Sequence, residues 1–328
     1  MNASIPFTRA LLLLAAFGCG ASCGSQEDGP RKLQIAVIPK GTTHEFWKSI
    51  HAGAVQGARD AGVDITWKGP SKDDDRDAQI RVVEDAISRR VDGIVIAPSD
   101  NKALVRPLAD AVKNGIPVVV IDSPIDWEGK VSYIGTDNYD GGVVGARALA
   151  GMLGGKGKVL LMRYFEGSGS TMAREIGFLD TLAKEFPALE VLSSNQYGGS
   201  TTESCYATAE NLLNSYPQVA GIFCACEPTT FGMLRALQDS GKAGKVKVVG
   251  FDATEKMLEG LRKGHLDGLV LQNPFKMGQL GVRAMADHLA GRPVEKLVDT
   301  GTLVATRENL ETPEIQALIH LDFSRWLE

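Results

Sequence analysis

The sequence predicts an α/β protein in which two lobes, each built on a parallel sheet, face one another across a cleft. Short apolar runs alternate with helical periodicity along the chain, as in parallel sheets whose strands are joined by crossover helices. One strand–helix–strand unit occurs twice, over residues 91–122 and 219–252. Each copy ends on an aspartate, Asp122 or Asp252. Because open α/β sheets bind ligands at such strand ends, both aspartates are candidate cleft residues.

Length and composition limit the number of domains and argue against some classes of partner. The 328 residues suffice for about two domains, and 44% hydrophobic with 23% charged residues is ordinary globular material. The formal net charge of -5, without a Lys/Arg run longer than a pair, argues against nucleic acid as a partner. The five histidines never pair at metal-ligand spacing. A histidine-rich metal site is therefore not expected. No cofactor is predicted either, because the chain has no P-loop and its glycine-rich stretch at residues 151–159 follows a helix and precedes a strand, the reverse of a dinucleotide loop.

The N-terminus has the pattern of a secretory signal. Arg9 precedes an apolar run at residues 10–17, which is too short to cross a bilayer as a helix. Cys19 and Cys23 follow among small residues, and this arrangement resembles the lipobox of bacterial lipoproteins. A lipidated cysteine would attach the protein to a membrane through its lipid only.

We predict a signal peptide over residues 1–23 and lipidation of Cys19, because Gly18 precedes it and the apolar run ends there. Lipidation of Cys23, or an ordinary cleaved signal with incidental cysteines, remains an alternative. Residues 24–32 (GSQEDGPRK) are predicted to be a polar tether. The later cysteines are odd in number and without framework spacing, so we predict buried free thiols at Cys205, Cys224 and Cys226.

The first lobe begins with a predicted buried strand at residues 33–38. Thr42 and Glu45 then fit a capping box that would start a helix. Trp47 begins an apolar stripe along that helix, and Phe46 lies about 100° away from it. At least one of the two rings is therefore predicted to face the cleft.

Further alternation completes the first half of the chain. Strands are predicted at residues 63–67, 93–97 and 117–121, and helices at 76–88 and 102–113. Residues 131–134 (VSYI) then lead into the next segment. The acidic run Asp73–Asp75 is interpreted as a solvated helix start, favoured by the helix dipole. Residues 135–138 (GTDN) are predicted to cross between the lobes.

The second half repeats the pattern. Predicted strands lie at residues 159–162, 190–194, 221–224, 246–250 and 266–272, and predicted helices at 142–153, 171–186, 202–215, 229–239, 255–263 and 277–289. Residues 301–305 are predicted to form a last crossing strand. An apolar stripe after Pro313 predicts a helix that packs back against the rest of the protein.

Several stretches, taken as a set, resemble periplasmic sugar-binding proteins of the ribose-binding type, the solute receptors of ABC importers. The most specific are GIPVVVID, the IGTDN crossing and GFD, supported by IAVIPKGTTHEFW and LVLQNPFKMGQLG. The resemblance covers nearly all of residues 33–305. It implies the type I periplasmic binding protein fold, with two Rossmann-like lobes joined by three crossing segments. The first lobe would comprise residues 33–136 and 273–300, and the second 137–272 and 301–328.

The same resemblance implies a ligand-binding set, which consists of His44, Phe46, Trp47, Asp122, Ser123, Arg174, Cys226, Asp252 and Gln272. Aromatic rings suit the apolar faces of a sugar, and carboxylate, amide and guanidinium groups suit its hydroxyls. Arg174 has independent support. It is predicted in the first turn of a helix, where a cation is unfavourable unless function requires it.

Three positions depart from the ribose-binding pattern. Ser123 replaces an arginine, Cys226 an asparagine and Ser200 an aromatic residue. These changes predict a roomier and less basic pocket, which leaves a hexose, another pentose or a cyclitol open. Glu227 is either an added acceptor or an N-cap before Pro228.

The resemblance implies a monomeric receptor that closes over a sugar and presents it to the membrane subunits of an ABC importer. A sugar sensor that presents its closed form to a membrane signalling receptor is the alternative. Two cleft carboxylates alone do not indicate a glycosidase, so catalysis is not expected. A repressor of the same fold would carry a helix-turn-helix before the first strand, where this chain has a predicted signal peptide.

Overall fold

The computed structural model describes residues 1–4, 31–320 and 322–327. The predicted lipidation site Cys19, its alternative Cys23 and most of the predicted tether lie outside the described residues. Within the described part, no helix is long and apolar enough to cross a membrane.

The described strands are β1 (Gln34–Ile38), β2 (Asp64–Trp67), β3 (Gly93–Ile96), β4 (Val118–Ile121), β5 (Ser132–Gly135), β6 (Gly157–Arg163), β7 (Leu189–Tyr197), β8 (Gly221–Cys224), β9 (Lys247–Phe251), β10 (Gly268–Leu271), β11 (Leu297–Asp299) and β12 (Leu303–Ala305). The helices are α1 (Glu45–Ala61), α2 (Arg76–Ser88), α3 (Val105–Lys113), α4 (Asn138–Met152), α5 (Gly169–Glu185), α6 (Thr202–Ser215), α7 (Glu227–Asp239), α8 (Glu255–Arg262), α9 (Pro274–Leu289) and α10 (Pro313–Ile319).

The strands form two sheets with matching orders. The first sheet runs β11-β5-β4-β3-β1-β2, and the second β12-β10-β9-β8-β6-β7. Strand pairs are parallel throughout, except that β12 is antiparallel to β10. In each sheet the strand order reverses beside its first strand, β1 or β6, and such reversals place ligand sites at the carboxyl ends of the strands.

The strand–helix–strand unit that occurs twice in the sequence has the same local structure in both lobes. Asp122 follows β4 and donates its backbone N–H to Ile134 in β5, while Asp252 follows β9 and donates to Val270 in β10. Both aspartates adopt the left-handed conformation, with φ of 61° and 68°. This region is uncommon outside glycine but accessible to aspartate. The two strand ends are therefore shaped alike, one in each lobe.

The chain crosses between the lobes three times, near Thr136, near Gln272 and near Thr300, as predicted. α4 lies against α5 and the second sheet, whereas α9 lies against α1 and the first sheet. Each of these helices follows a crossing directly and packs on the lobe that the chain has just entered. The predicted fold class, two α/β lobes joined by three crossings, is confirmed.

The C-terminal tail departs from the predicted division of the lobes. Ile315 in α10 packs into the second-lobe core. Trp326 instead contacts the first lobe, where its ring lies 4.9 Å from that of Phe275 and its Nε1 donates to Gln56 Oε1 at 2.8 Å. The prediction placed residues 301–328 wholly in the second lobe, whereas the last described residues pack on the first.

Some local predictions were wrong because the deciding contacts are not local. Thr42 and Glu45 do not form a capping box, since the Thr42 hydroxyl donates to the Pro70 carbonyl and α1 begins at Glu45 without a side-chain cap from His44. β11 was not predicted. It is a three-residue edge strand whose Leu297 is exposed, so it lacks the apolar signal of a buried strand.

Candidate functional site

The predicted site residues converge on one small cavity between the lobes. It is lined by His44, Phe46, Trp47, Asp122, Arg174, Cys226, Asp252 and Gln272, together with Lys40, Asp73, Tyr164, Ser170, Thr171, Glu227 and Pro228. Most follow the carboxyl end of a strand in one lobe or the other. Its volume is about 30 Å³, room for one or two water molecules.

Ser123 does not line this cavity. Its buried hydroxyl donates to Ser170 Oγ at 2.9 Å and accepts from the Ser170 backbone N–H at 3.1 Å. Ser123 therefore joins the lobes beside the cavity, and its contact with a ligand stays a prediction.

Lys40 is a cleft residue that sequence reasoning missed. It is buried, and its ammonium lies 3.1 Å from Asp122 Oδ2. It also donates across the cleft to Ser170 Oγ at 3.0 Å and Ser168 Oγ at 3.3 Å. Its position directly after β1 and Pro39 is the sequence signal that could have identified it as a cleft residue. The prediction of a pocket that is roomier and less basic than in the ribose-binding pattern stays a prediction, although Lys40 adds a buried cation to the lining.

Arg174 is the centre of the polar network, in the second turn of α5 rather than the predicted first. The side chain is 2% exposed. It donates to Asn138 Oδ1 at 2.8 Å, to the Ala225 carbonyl at 3.0 Å and to Gln272 Oε1 at 3.2 Å. The guanidinium also lies 3.8 Å from the centre of the Phe251 ring. These contacts fix its position from several sides.

Asp252 completes this network in the second lobe. One carboxylate oxygen accepts from Gln272 Nε2 at 2.6 Å and the other from the Glu227 backbone N–H at 2.9 Å. Burial raises the pKa of Asp252, and the charge of Arg174 opposes this shift. Gln272 also accepts from Thr136 Oγ1 at 3.0 Å, so the network reaches two crossing segments.

The two aromatic residues differ in exposure. Trp47 is buried and Phe46 half-buried, and the rings meet edge to face at 5.0 Å. Trp47 Nε1 donates to both oxygens of Asp73 at 3.0 Å. Asp73 is only 4% exposed, and burial raises its pKa. The interpretation of residues 73–75 as a solvated helix start was therefore wrong for Asp73, whereas Asp75 caps α2.

Glu227 links the lobes in a way that neither sequence interpretation foresaw. From the start of α7 it accepts the backbone N–H of Glu45 at 3.3 Å and of Phe46 at 2.9 Å. It therefore caps α1 of the opposite lobe, whose first amides have no intrahelical partner. His44 lies beside it, with Nδ1 3.8 Å from Glu227 Oε1. Burial raises the pKa of Glu227 to about 7.

The three cysteines of the described residues are buried free thiols, as predicted. Burial raises the pKa of Cys205, Cys224 and Cys226 above the usual thiol range, so all three stay protonated at neutral pH. No group of three or more His, Cys, Asp or Glu side chains in the described ranges could hold a metal ion.

Comparisons with known proteins place this arrangement in a family. A model described as periplasmic binding protein domain matches residues 35–293. The chain is 29% identical over 262 residues to the D-allose-binding periplasmic protein of Escherichia coli (strain K12), covering 77% of this chain and 84% of that protein. It is 27% identical over 285 residues to the ribose import binding protein RbsB of Bacillus subtilis (strain 168), covering 87% and 90%.

Solved structures agree. A carbohydrate transporter solute binding protein from Agrobacterium radiobacter, in complex with D-arabinose, is similar with a TM-score of 0.85 and 32% identity over 88% of this chain and 99% of that one. An ABC transporter solute binding protein from Agrobacterium vitis with bound D-fucose is similar with a TM-score of 0.84 and 33% identity over 88% and 100%. This chain belongs to the periplasmic binding protein family, with the two-lobed type I fold.

Proposed function

We propose that this protein binds a monosaccharide or related polyol in the cleft between its lobes and delivers it to an ABC importer. The observation that carries the proposal is the convergence of Asp122 and Asp252, both left-handed and both at strand ends, on one cavity with Arg174. The similar proteins named above are sugar-binding and sugar-import proteins, which supports the same function. Members of this family bind solutes, and the site needs no catalytic step.

The lining suits a polyol chemically. Carboxylates at Asp122 and Asp252 accept hydrogen bonds from hydroxyls, while Lys40 and Arg174 donate. The half-buried ring of Phe46 offers an apolar plate for C–H groups. A wrong epimer would leave one of these buried groups unpaired, which costs about 1–3 kcal/mol.

Binding requires the lobes to open. The cavity of about 30 Å³ is smaller than a pyranose, so Lys40 and neighbouring side chains must move to admit one. We propose rotation about the three crossings, with closure stabilised by contacts from both lobes to the sugar. The contacts of Lys40 with Ser170 and of Glu227 with α1 are among those that opening would break.

Location and anchoring complete the proposal. Membership of the family implies a periplasmic location, and we propose that lipid attached to Cys19 holds a monomeric receptor at a bacterial membrane. Fatty-acid labelling of the full chain should be lost in Cys19→Ser and kept in Cys23→Ser. Labelling that persists in Cys19→Ser would exclude that residue.

A thermal-shift screen tests the proposed function directly. Pentoses, hexoses and cyclitols at millimolar concentration should include at least one that raises the unfolding midpoint of the full chain, because a ligand that binds only the folded state stabilises it. The same sugar should act on the chain lacking residues 1–23. If no sugar or cyclitol shifts the midpoint of either chain, the proposal is wrong.

The pH dependence of binding should report on Glu227. Its pKa of about 7 in the closed cleft exceeds the value of about 4.3 for a glutamate in water. The closed form therefore holds more protons than an open form between these values, so sugar affinity should fall as pH rises from about 4.3 to 7 and then level off. Calorimetric titration between pH 5 and 8 measures this trend.

The matched variants are Glu227→Gln and Glu203→Gln, the latter on the exposed first turn of α6. Glu227→Gln should flatten most of the slope, while the buried Asp252, whose pKa is also raised, retains a remainder. Glu203→Gln should leave the slope unchanged. An affinity that rises with pH, or a full slope in Glu227→Gln, would refute the assignment.

A further inference from the structure

A second and much larger cavity adjoins the cleft. It is a groove of about 430 Å³, within the size range of small-molecule sites. Phe46, Asp252 and Gln272 line both the groove and the inner cavity. These side chains therefore border both spaces, and they include two members of the polar network.

The outer wall of the groove comes from the C-terminal tail. Leu318, Ile319 and Phe323 line it opposite α1 and α8. These residues lie beyond residues 35–293, which the family model matches. The C-terminal tail therefore forms one wall of the groove.

The lining combines apolar surface with hydrogen-bond acceptors. Leu258, Pro274 and Phe323 supply apolar surface, while Asp252 and Glu255 supply carboxylates. A sugar ring presents both kinds of surface. The described lining contains no lysine or arginine, so a neutral ring fits it better than a phosphate or a carboxylate would.

Ser49 adds a buried and unpaired hydroxyl to the lining of the groove. It lies on α1, lines the groove and is 5% exposed. Its hydroxyl has no hydrogen-bond partner among the described residues. Buried hydroxyls are seldom left unpaired, because the lost hydrogen bond is costly. A hydroxyl of a bound ligand would satisfy it.

We propose that the groove is a second sugar subsite and that the preferred ligand is a neutral glycoside, a disaccharide in the simplest case. One ring occupies the cleft, and the second lies in the groove between α1, α8 and the tail, within reach of Ser49. This inference rests on the proposed function and adds the class of ligand.

Calorimetric titration of the full chain tests it with defined probes. The monosaccharides are D-glucose, D-galactose, D-allose, D-arabinose and D-fucose, and the disaccharides are maltose, cellobiose, lactose, melibiose and trehalose. At least one disaccharide should bind tenfold or more tightly than either of its component sugars. Such a ratio requires contacts outside the inner cavity.

Three variants locate those contacts. Ser49→Ala should lower the ratio of disaccharide to monosaccharide affinity about fivefold, the effect of one lost hydrogen bond. Leu318→Trp should lower it at least tenfold by filling the groove. Ser132→Ala is the matched control, since Ser132 is also buried with an unpaired hydroxyl but lies outside both cavities. Urea midpoints check that each variant is folded.

The possible results separate the two proposals. Monosaccharide binding at least as tight as any disaccharide, or a disaccharide preference that neither groove variant changes, overturns the second subsite and leaves the proposed function intact. Failure of every disaccharide of this panel to bind also overturns the second subsite, whereas the proposed function is overturned only if no sugar or cyclitol of the thermal-shift screen binds.

Discussion

Replacing Arg174 with methionine is expected to lower the free energy of unfolding by about 3 kcal/mol or more. Methionine fills much of the same space but donates no hydrogen bond. Asn138 Oδ1 and the Ala225 carbonyl would lose the donors that now lie 2.8 and 3.0 Å away. The buried carboxylate of Asp252 would also lose the cation that opposes its raised pKa. Urea unfolding at pH 7 measures the change.

Arg147→Met is the matched control in the same lobe. Arg147 lies on α4 and pairs with Glu185 at an exposed position. Because exposed ion pairs contribute little to stability, its urea midpoint should stay close to that of the wild type. Equal midpoints for the two variants would show that the Arg174 network does not stabilise the fold.

Replacing either cleft aspartate with asparagine should weaken sugar binding by about 2 kcal/mol, roughly 30-fold. Asparagine has nearly the same shape and tolerates the left-handed backbone, so the loss reports on the charge and acceptor rather than on strain. Asp122→Asn also leaves the Lys40 ammonium without its charged partner at 3.1 Å. Calorimetric titration with the sugar found in the screen gives the affinities.

Asp126→Asn provides the comparison for these two variants. Asp126 is exposed on the loop after β4, four residues beyond Asp122. The Asp126→Asn variant should therefore bind the sugar as tightly as the wild type. If Asp122→Asn and Asp252→Asn also bind the sugar as tightly as the wild type, the two strand ends do not form the site.

The fold was predictable because its signals are local. Uniformly apolar runs such as residues 118–121 predict buried parallel strands, and the repeated unit identified Asp122 and Asp252 as equivalent ends. α2, α6 and β8 begin and end where predicted. The failures occurred where sequence carries no local signal, as at the exposed edge strand β11 and at the start of α1, where the cap comes from Glu227.

The site was only partly predictable for the same reason. The resemblance identified most of the cavity lining, including Arg174 and Gln272. Lys40 and Glu227 take their roles from contacts with the opposite lobe, across 130 and 181 residues of sequence, and Asp73 takes its role from Trp47 of α1, across 26 residues. Such contacts exist only after the lobes have folded and, for Lys40 and Glu227, have met. Residue type alone would class all three as surface charges.

The C-terminal tail connects the lobes a fourth time, in addition to the three crossings. Ile315 is anchored in one core and Trp326 against α1 and α9 of the other. Any rotation that separates these anchors must be absorbed by the few residues between them. If the lobes rotate as proposed, the length of the tail limits how far they open, in addition to the three crossings.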